Sequence, residues 1–153
     1  MPIKKTTTRQ AQPAGKKGIE IYVDGSFIDG RVGYGLVILR DGAAVGEFSG
    51  SVENEEYLTA RQVAGELFAV GKALQWCKIN GEMSATIYYD YTGIECWATG
   101  KWKAKLPLTQ RYTAFVRSSG IRISWQKVAA HTGDFWNERA DELAKQGTLE
   151  VRS

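Results

Sequence analysis

The chain holds one histidine and two cysteines among 153 residues. Cys77 and Cys96 show no metal-ligand spacing, and no secretory signal is in view. They are therefore expected to be free, reduced thiols in a cytoplasmic protein. No apolar run approaches the roughly 18 residues that a membrane-spanning helix needs, and the first residues lack an apolar signal-peptide core. No membrane association is expected. Acidic residues are missing from residues 1–17, which contain Lys4, Lys5, Arg9, Lys16 and Lys17. The remainder has 15 basic against 17 acidic residues, so the net charge of +3 comes from this segment. A basic tail holds polyanions by counterion release, or serves simply as a solvated linker.

What is present is ordinary globular composition, 43% apolar and 24% charged, which excludes global disorder. The length suits one domain with its own core. Residues 1–17 are Thr-rich and aperiodic and are expected to be disordered. Residues 18–148 form the folded domain, and 149–153 a short tail. Ile19, Ile21 and Val23 alternate with Glu20, Tyr22 and Asp24, which predicts a strand with one apolar face and Asp24 on the other. Asp29-Gly30 and Asp41-Gly42 are turn signals, so GYGLVILR and AAVGEFSGSV complete an antiparallel meander. Val63, Leu67, Val70 and Leu74 predict a helix over about 57–77, with Glu66 on its inward face. A fourth strand is expected over 84–90 and a short helix over 92–98. A helix over 108–118, a strand in IRISWQKVAA and a helix over 136–147 follow. The order is β-β-β-α-β-α-α-β-α.

Four carboxylates stand out. Asp24 lies in IEIYVDGSF, Glu66 in RQVAGELFAVGKAL, Asp90 at the end of ATIYYD, and Asp141 at the opening of NERADELAK. Each alone has an ordinary reading: a turn residue, a helix-surface charge, an N-cap, or an acid matched to a helix dipole. Together, on two strands and two helices, they point to a hard-oxygen site for divalent cations and to two-metal phosphodiester chemistry.

These residues carry a resemblance. YVDGSF with the later GYG, AGELFAV, IYYDYTGIECW and AHTGDFWNERADELA are similar, in order, to the motifs of the type 1 ribonuclease H family, the bacterial type. The match runs from about Ile19 to Gln146. The last segment is the most specific, fitting a His-x-Gly-x₃-Asn-Glu-x-Ala-Asp pattern. The resemblance implies an α/β ribonuclease H-like fold, with a five-stranded mixed sheet (three antiparallel strands, then two parallel) flanked by helices. It implies an endonuclease that hydrolyses the RNA strand of RNA–DNA hybrids, leaving 5′-phosphate and 3′-hydroxyl ends. Two Mg²⁺ ions, for which Mn²⁺ substitutes, would be held by Asp24, Glu66, Asp90 and Asp141, with Asp24 bridging both. His131 would assist proton transfer or product departure. A monomer with no obligate protein partner is the expected state.

The 2′-hydroxyl of the RNA strand would be read near the acids, with Gly25, Ser26, Gln62 and Asn137 as candidates. Lys101, Trp102, Lys103 and Lys105 form a second candidate surface, for phosphates and for a sugar or base. The stretch between Asp90 and Pro107 is short, without room for the extra helix that longer family members use there. Tyr91 stands where many relatives have a small polar residue. The rival readings are a hybrid-binding module without catalysis and a DNA-directed nuclease or strand transferase on the same fold.

Overall fold

The computed structural model describes residues 18–129 and 134–150. Three strands open the fold: β1 Ile19–Ile28, β2 Arg31–Arg40 and β3 Ala43–Val52. The two hairpins turn where the sequence predicts. Asp29 and Gly30, then Asp41 and Gly42, all take positive φ, the requirement of a two-residue primed turn. Then come α1 Glu55–Leu58, α2 Gln62–Ile79, β4 Ser84–Tyr89, α3 Gly93–Thr99, α4 Pro107–Ser118, β5 Arg122–Lys127 and α5 Phe135–Thr148. The sheet order is β3-β2-β1-β4-β5. β1–β2 and β2–β3 are antiparallel, whereas β1–β4 and β4–β5 are parallel. The expected mixed sheet is thus observed.

Four local expectations are corrected. The helix expected over 57–77 is two helices, broken at Thr59–Arg61, where Arg61 adopts φ 55°. The fourth strand stops at Tyr89, one residue before Asp90, and β5 is confined to Arg122–Lys127. Asp141 does not open its helix. Asp134 is the N-cap, accepting from the backbone N–H of Trp136 and Asn137, so Asp141 sits almost two turns further in. Finally, β1 has no solvent face. It is the central strand, and Glu20 and Tyr22 are as buried as Ile19, Ile21 and Val23.

Both faces of the sheet are covered. On one, Ile21, Val23, Leu36, Ile38 and Ile87 pack with Leu67, Val70 and Leu74 of α2. On the other, Tyr22, Val37 and Leu39 pack with Ala140 and Leu143 of α5. Close approach is made possible by glycine. A Cβ on Gly65 of α2 would lie 2.2 Å from the Gly33 carbonyl oxygen, and one on Gly35 of β2 would lie 2.4 Å from the Ala144 nitrogen of α5. The two helices therefore rest almost directly on the backbone of the sheet.

Candidate active site

The parallel pairing of β1 with β4 ends at Tyr22 opposite Tyr88. Asp24 on β1, and Asp90 one residue past the end of β4, each stand two residues beyond that last pair, where the two segments no longer bond to each other. Parallel strands that part at their carboxyl ends leave a crevice at the sheet's edge. Here it is an open cavity of about 420 Å³ bordered by all four acids, Asp24, Glu66, Asp90 and Asp141. By the two-residue alternation of a strand, Asp24 shares the face of Tyr22, which is the face that α5 covers. Glu66 enters from α2 on the opposite face.

Each acid is held differently. Glu66 is buried, and its two carboxylate oxygens accept the backbone N–H of Asp90 at 2.6 Å and of Tyr91 at 3.2 Å. Burial pushes its pKa up to about 8, against the opposing effect of those two bonds, with Asp24 and Asp90 adding repulsion. Asp24 accepts the backbone N–H of Gly25 at 2.8 Å and shares a hydrogen bond with Asp141. Burial first, then the neighbouring charges of Asp141 and Asp90, raise its pKa to about 7. Asp141 also receives Lys145, one helical turn away, at 3.0 Å from Oδ2.

Among the described residues, no three acidic, histidine or cysteine side chains are already drawn together as metal ligands. Lys145 holds Asp141, and backbone N–H groups hold Asp24 and Glu66. The donor set nonetheless fits a hard divalent cation. It consists of carboxylate oxygens converging on one cavity, two of them raised to pKa values of about 7 and about 8 by burial and by repulsion from neighbouring acids.

Of the other sequence candidates, Gly25, Gln62 and Asn137 border the cavity, whereas Ser26 is buried outside its lining. Lys101, Trp102 and Lys103 are exposed on the segment between α3 and α4, away from the lining. That segment carries no helix, as its short length suggested. His131 lies outside the described residues.

Residues not singled out from sequence also border the cavity. Lys127 arrives because β4 and β5 pair Tyr89 with Lys127, a register no local pattern reveals. Glu138 adds a fifth acid from the same helix as Asp141. Lys145 was readable, since it lies at i+4 from Asp141 on a helix.

The chain belongs to the ribonuclease H family, whose RNase H model matches residues 16–149. It is 36% identical to a ribonuclease H of Verminephrobacter eiseniae over 84% of this chain and 89% of that protein. It is 32% identical to one of a Polaromonas species over 92% and 94%. Among solved structures, RNase H1 from Halobacterium salinarum superimposes with TM-score 0.71 at 25% identity, covering 84% of this chain and 96% of that one. LC11-RNase H1, solved in complex with an RNA/DNA hybrid, shares the fold with TM-score 0.71 at 22% identity, covering 85% and 96%.

Proposed function

We propose that the protein cleaves the RNA strand of RNA–DNA hybrids endonucleolytically with two divalent metal ions, magnesium or manganese, leaving 5′-phosphate and 3′-hydroxyl ends. The observation that carries this reading is the convergence of Asp24, Glu66, Asp90 and Asp141 on one open cavity in a ribonuclease H fold. The ribonuclease H relatives and the hybrid-bound neighbour support the substrate.

In this proposal Asp24 would serve as a ligand common to both ions, Glu66 and Asp90 would help hold one, and Asp141 would help hold the other. Bound there, the ions supply activation of the attacking water and charge stabilisation for the departing oxygen. Water oxygen bonds to phosphorus, the bond from phosphorus to the 3′ oxygen breaks, and that oxygen leaves protonated. Burial and mutual repulsion raise the pKa values of Asp24 and Glu66, and a bound cation would offset that repulsion and favour their charged forms. Lys145 would compete with a cation for Asp141 Oδ2. Gly25, Gln62 and Asn137 are assigned to the RNA sugar; Lys101, Trp102 and Lys103 to the backbone of the bound duplex. His131 is assigned accessory proton transfer or product departure. The enzyme is read as a cytoplasmic monomer, in keeping with free, buried Cys77 and Cys96.

The test is cleavage of one labelled RNA strand, paired with DNA, paired with RNA, or single, with magnesium or with chelator. Magnesium-dependent cutting of the hybrid alone is expected. Tight hybrid binding without cutting would replace the proposal with a binding module.

A further inference from the structure

Among the described residues, five acids border the cavity and only one base, Lys127. A lining of that kind repels a polyanion, and a cation at its border opposes the repulsion. Lys127 is the last residue of β5. The parallel register sets it opposite Tyr89, the last residue of β4, so Asp90 follows directly on the neighbouring strand. By strand alternation Lys127 continues the row of Ile123 and Trp125, which pack on the α2 face of the sheet. Trp125 is half-buried and meets Tyr89 edge-on at 6.0 Å between centroids. At Lys127 that row leaves the core, and the side chain is exposed beside the cavity. Its backbone stays tied down on the far side too, where the Val128 N–H donates to the Tyr89 carbonyl at 2.8 Å.

The two lysines nearest the acids differ in what they do. Lys145 is held by Asp141 at 3.0 Å. Lys127 forms no ion pair with any described residue, although it borders the same cavity as all the acids. Glu66 is buried and Asp24, Asp90 and Asp141 are half-buried, whereas Lys127 is exposed. Negative groups thus lie within, and one uncommitted ammonium stands at the border on a fixed strand end. A compact charge on a flexible stem suits a phosphate oxygen.

We infer that Lys127 is a substrate-binding residue whose ammonium neutralises one backbone phosphate of the bound hybrid at the border of the cavity. The inference rests on the nucleic-acid reading of the cavity. It puts a phosphate contact on the end of β5, beside Asp90, in addition to the one assigned to the segment between α3 and α4. Trp125 and Tyr89 serve it as positioning residues, because their packing fixes the strand end from which Lys127 projects.

The experiment combines a lysine footprint with kinetics. The full wild-type chain is acetylated with an N-hydroxysuccinimide ester in chelator, with and without a saturating RNA–DNA hybrid, and the modified lysines are mapped by mass spectrometry. Lys78, exposed at the opposite end of α2 from Gln62, is the control. Hybrid is expected to protect Lys127 and to leave Lys78 reactive. Steady-state cleavage and the salt dependence of hybrid binding are then compared for wild type, Lys127→Gln and Lys127→Arg. In Lys127→Gln, KM should rise about fivefold with kcat within about twofold of wild type. The slope of log binding constant against log salt should become shallower by about one, the signature of one lost phosphate contact. Lys127→Arg should recover both. If wild type cuts hybrid but Lys127 is not protected and Lys127→Gln keeps its KM and slope, the inference is overturned while the function stands. A lower magnesium midpoint in Lys127→Gln with KM and slope unchanged also overturns it, placing the lysine's effect on the acids instead. If hybrid protects Lys127 and the slope changes but nothing is cut, the inference holds and the cleavage reading falls. Should Lys127→Gln fail to fold, the wild-type footprint decides: equal reactivity of Lys127 with and without hybrid overturns the inference.

Discussion

The carboxylate of Glu66 holds the backbone of Asp90 in place, at 2.6 Å from its N–H, and through it ties α2 to the turn that follows β4. One proposed ligand thus orients another. Glu66→Gln keeps an acceptor for that N–H but removes the charge. Its amide nitrogen cannot accept the Tyr91 N–H that the second carboxylate oxygen accepts, so it is expected to abolish cleavage and to cost about 1–2 kcal/mol of stability. Glu66→Ala leaves two backbone donors without a partner and should cost about 1–3 kcal/mol as well as activity. Chemical denaturation beside a cleavage assay separates the two.

Lys145 neutralises Asp141 on the surface of α5 at 3.0 Å, with both side chains partly exposed. Such pairs contribute about 0–1 kcal/mol to stability, so Lys145→Met should scarcely alter unfolding. It should, however, lower the magnesium concentration for half-maximal cleavage several-fold, because the cation no longer competes with an ammonium group for Asp141. A magnesium titration checks this; an unchanged midpoint would mean that Asp141 is not a ligand in the working enzyme.

The pH dependence follows from Asp24 and Glu66. Both have raised pKa values in the folded protein, about 7 and about 8, against 3.8 and 4.5 for their ordinary groups. Between the ordinary and the raised values the folded state binds more protons than the unfolded one. The stability contributed by these two groups in the metal-free protein is therefore fully present below about pH 4, falls as pH rises, and is lost above about pH 8. Melting temperatures in chelator should drop between about pH 5 and pH 8.5, and added magnesium should recover more at the alkaline end. A flat profile would contradict the desolvation of these two acids.

Much of this was legible beforehand, and the exceptions have identifiable physical causes. The Asp-Gly pairs announce the hairpins because few other residues tolerate two consecutive positive φ values. The inward placement of Glu66 follows from its helical spacing to Val63 and Val70. The break before Gln62 was hidden because Arg61, a good helix former, occupies the positive-φ position, where its guanidinium lies 5.4 Å from the Phe27 ring centre. Asp141 looked like part of a first helical turn because the capping role of Asp134, whose side chain accepts the backbone N–H of Trp136 and Asn137, went unread. The burial of Glu20 depends on Tyr88, 68 residues away, whose hydroxyl donates to it at 2.6 Å. No local pattern encodes such a partner, nor the seating of α2 and α5 on glycine.

That seating gives a further prediction. Gly65→Ala forces a methyl group to within 2.2 Å of the Gly33 carbonyl oxygen. It should cost about 1–3 kcal/mol through displacement of α2 and should reduce cleavage, because Glu66 moves with its helix. Denaturation midpoints and kcat measure both; a fully stable, fully active variant would show that α2 tolerates the shift.

The central claim is that these carboxylates form a divalent-metal site that cuts hybrid. Its most direct test is Asp24→Asn, assayed for cleavage of a labelled RNA–DNA hybrid in saturating magnesium and, in parallel, for hybrid binding. The prediction is binding close to wild type with no detectable cutting, since the acid proposed to contact both ions is gone while the fold is spared. Turnover by Asp24→Asn at a rate near wild type would contradict the account.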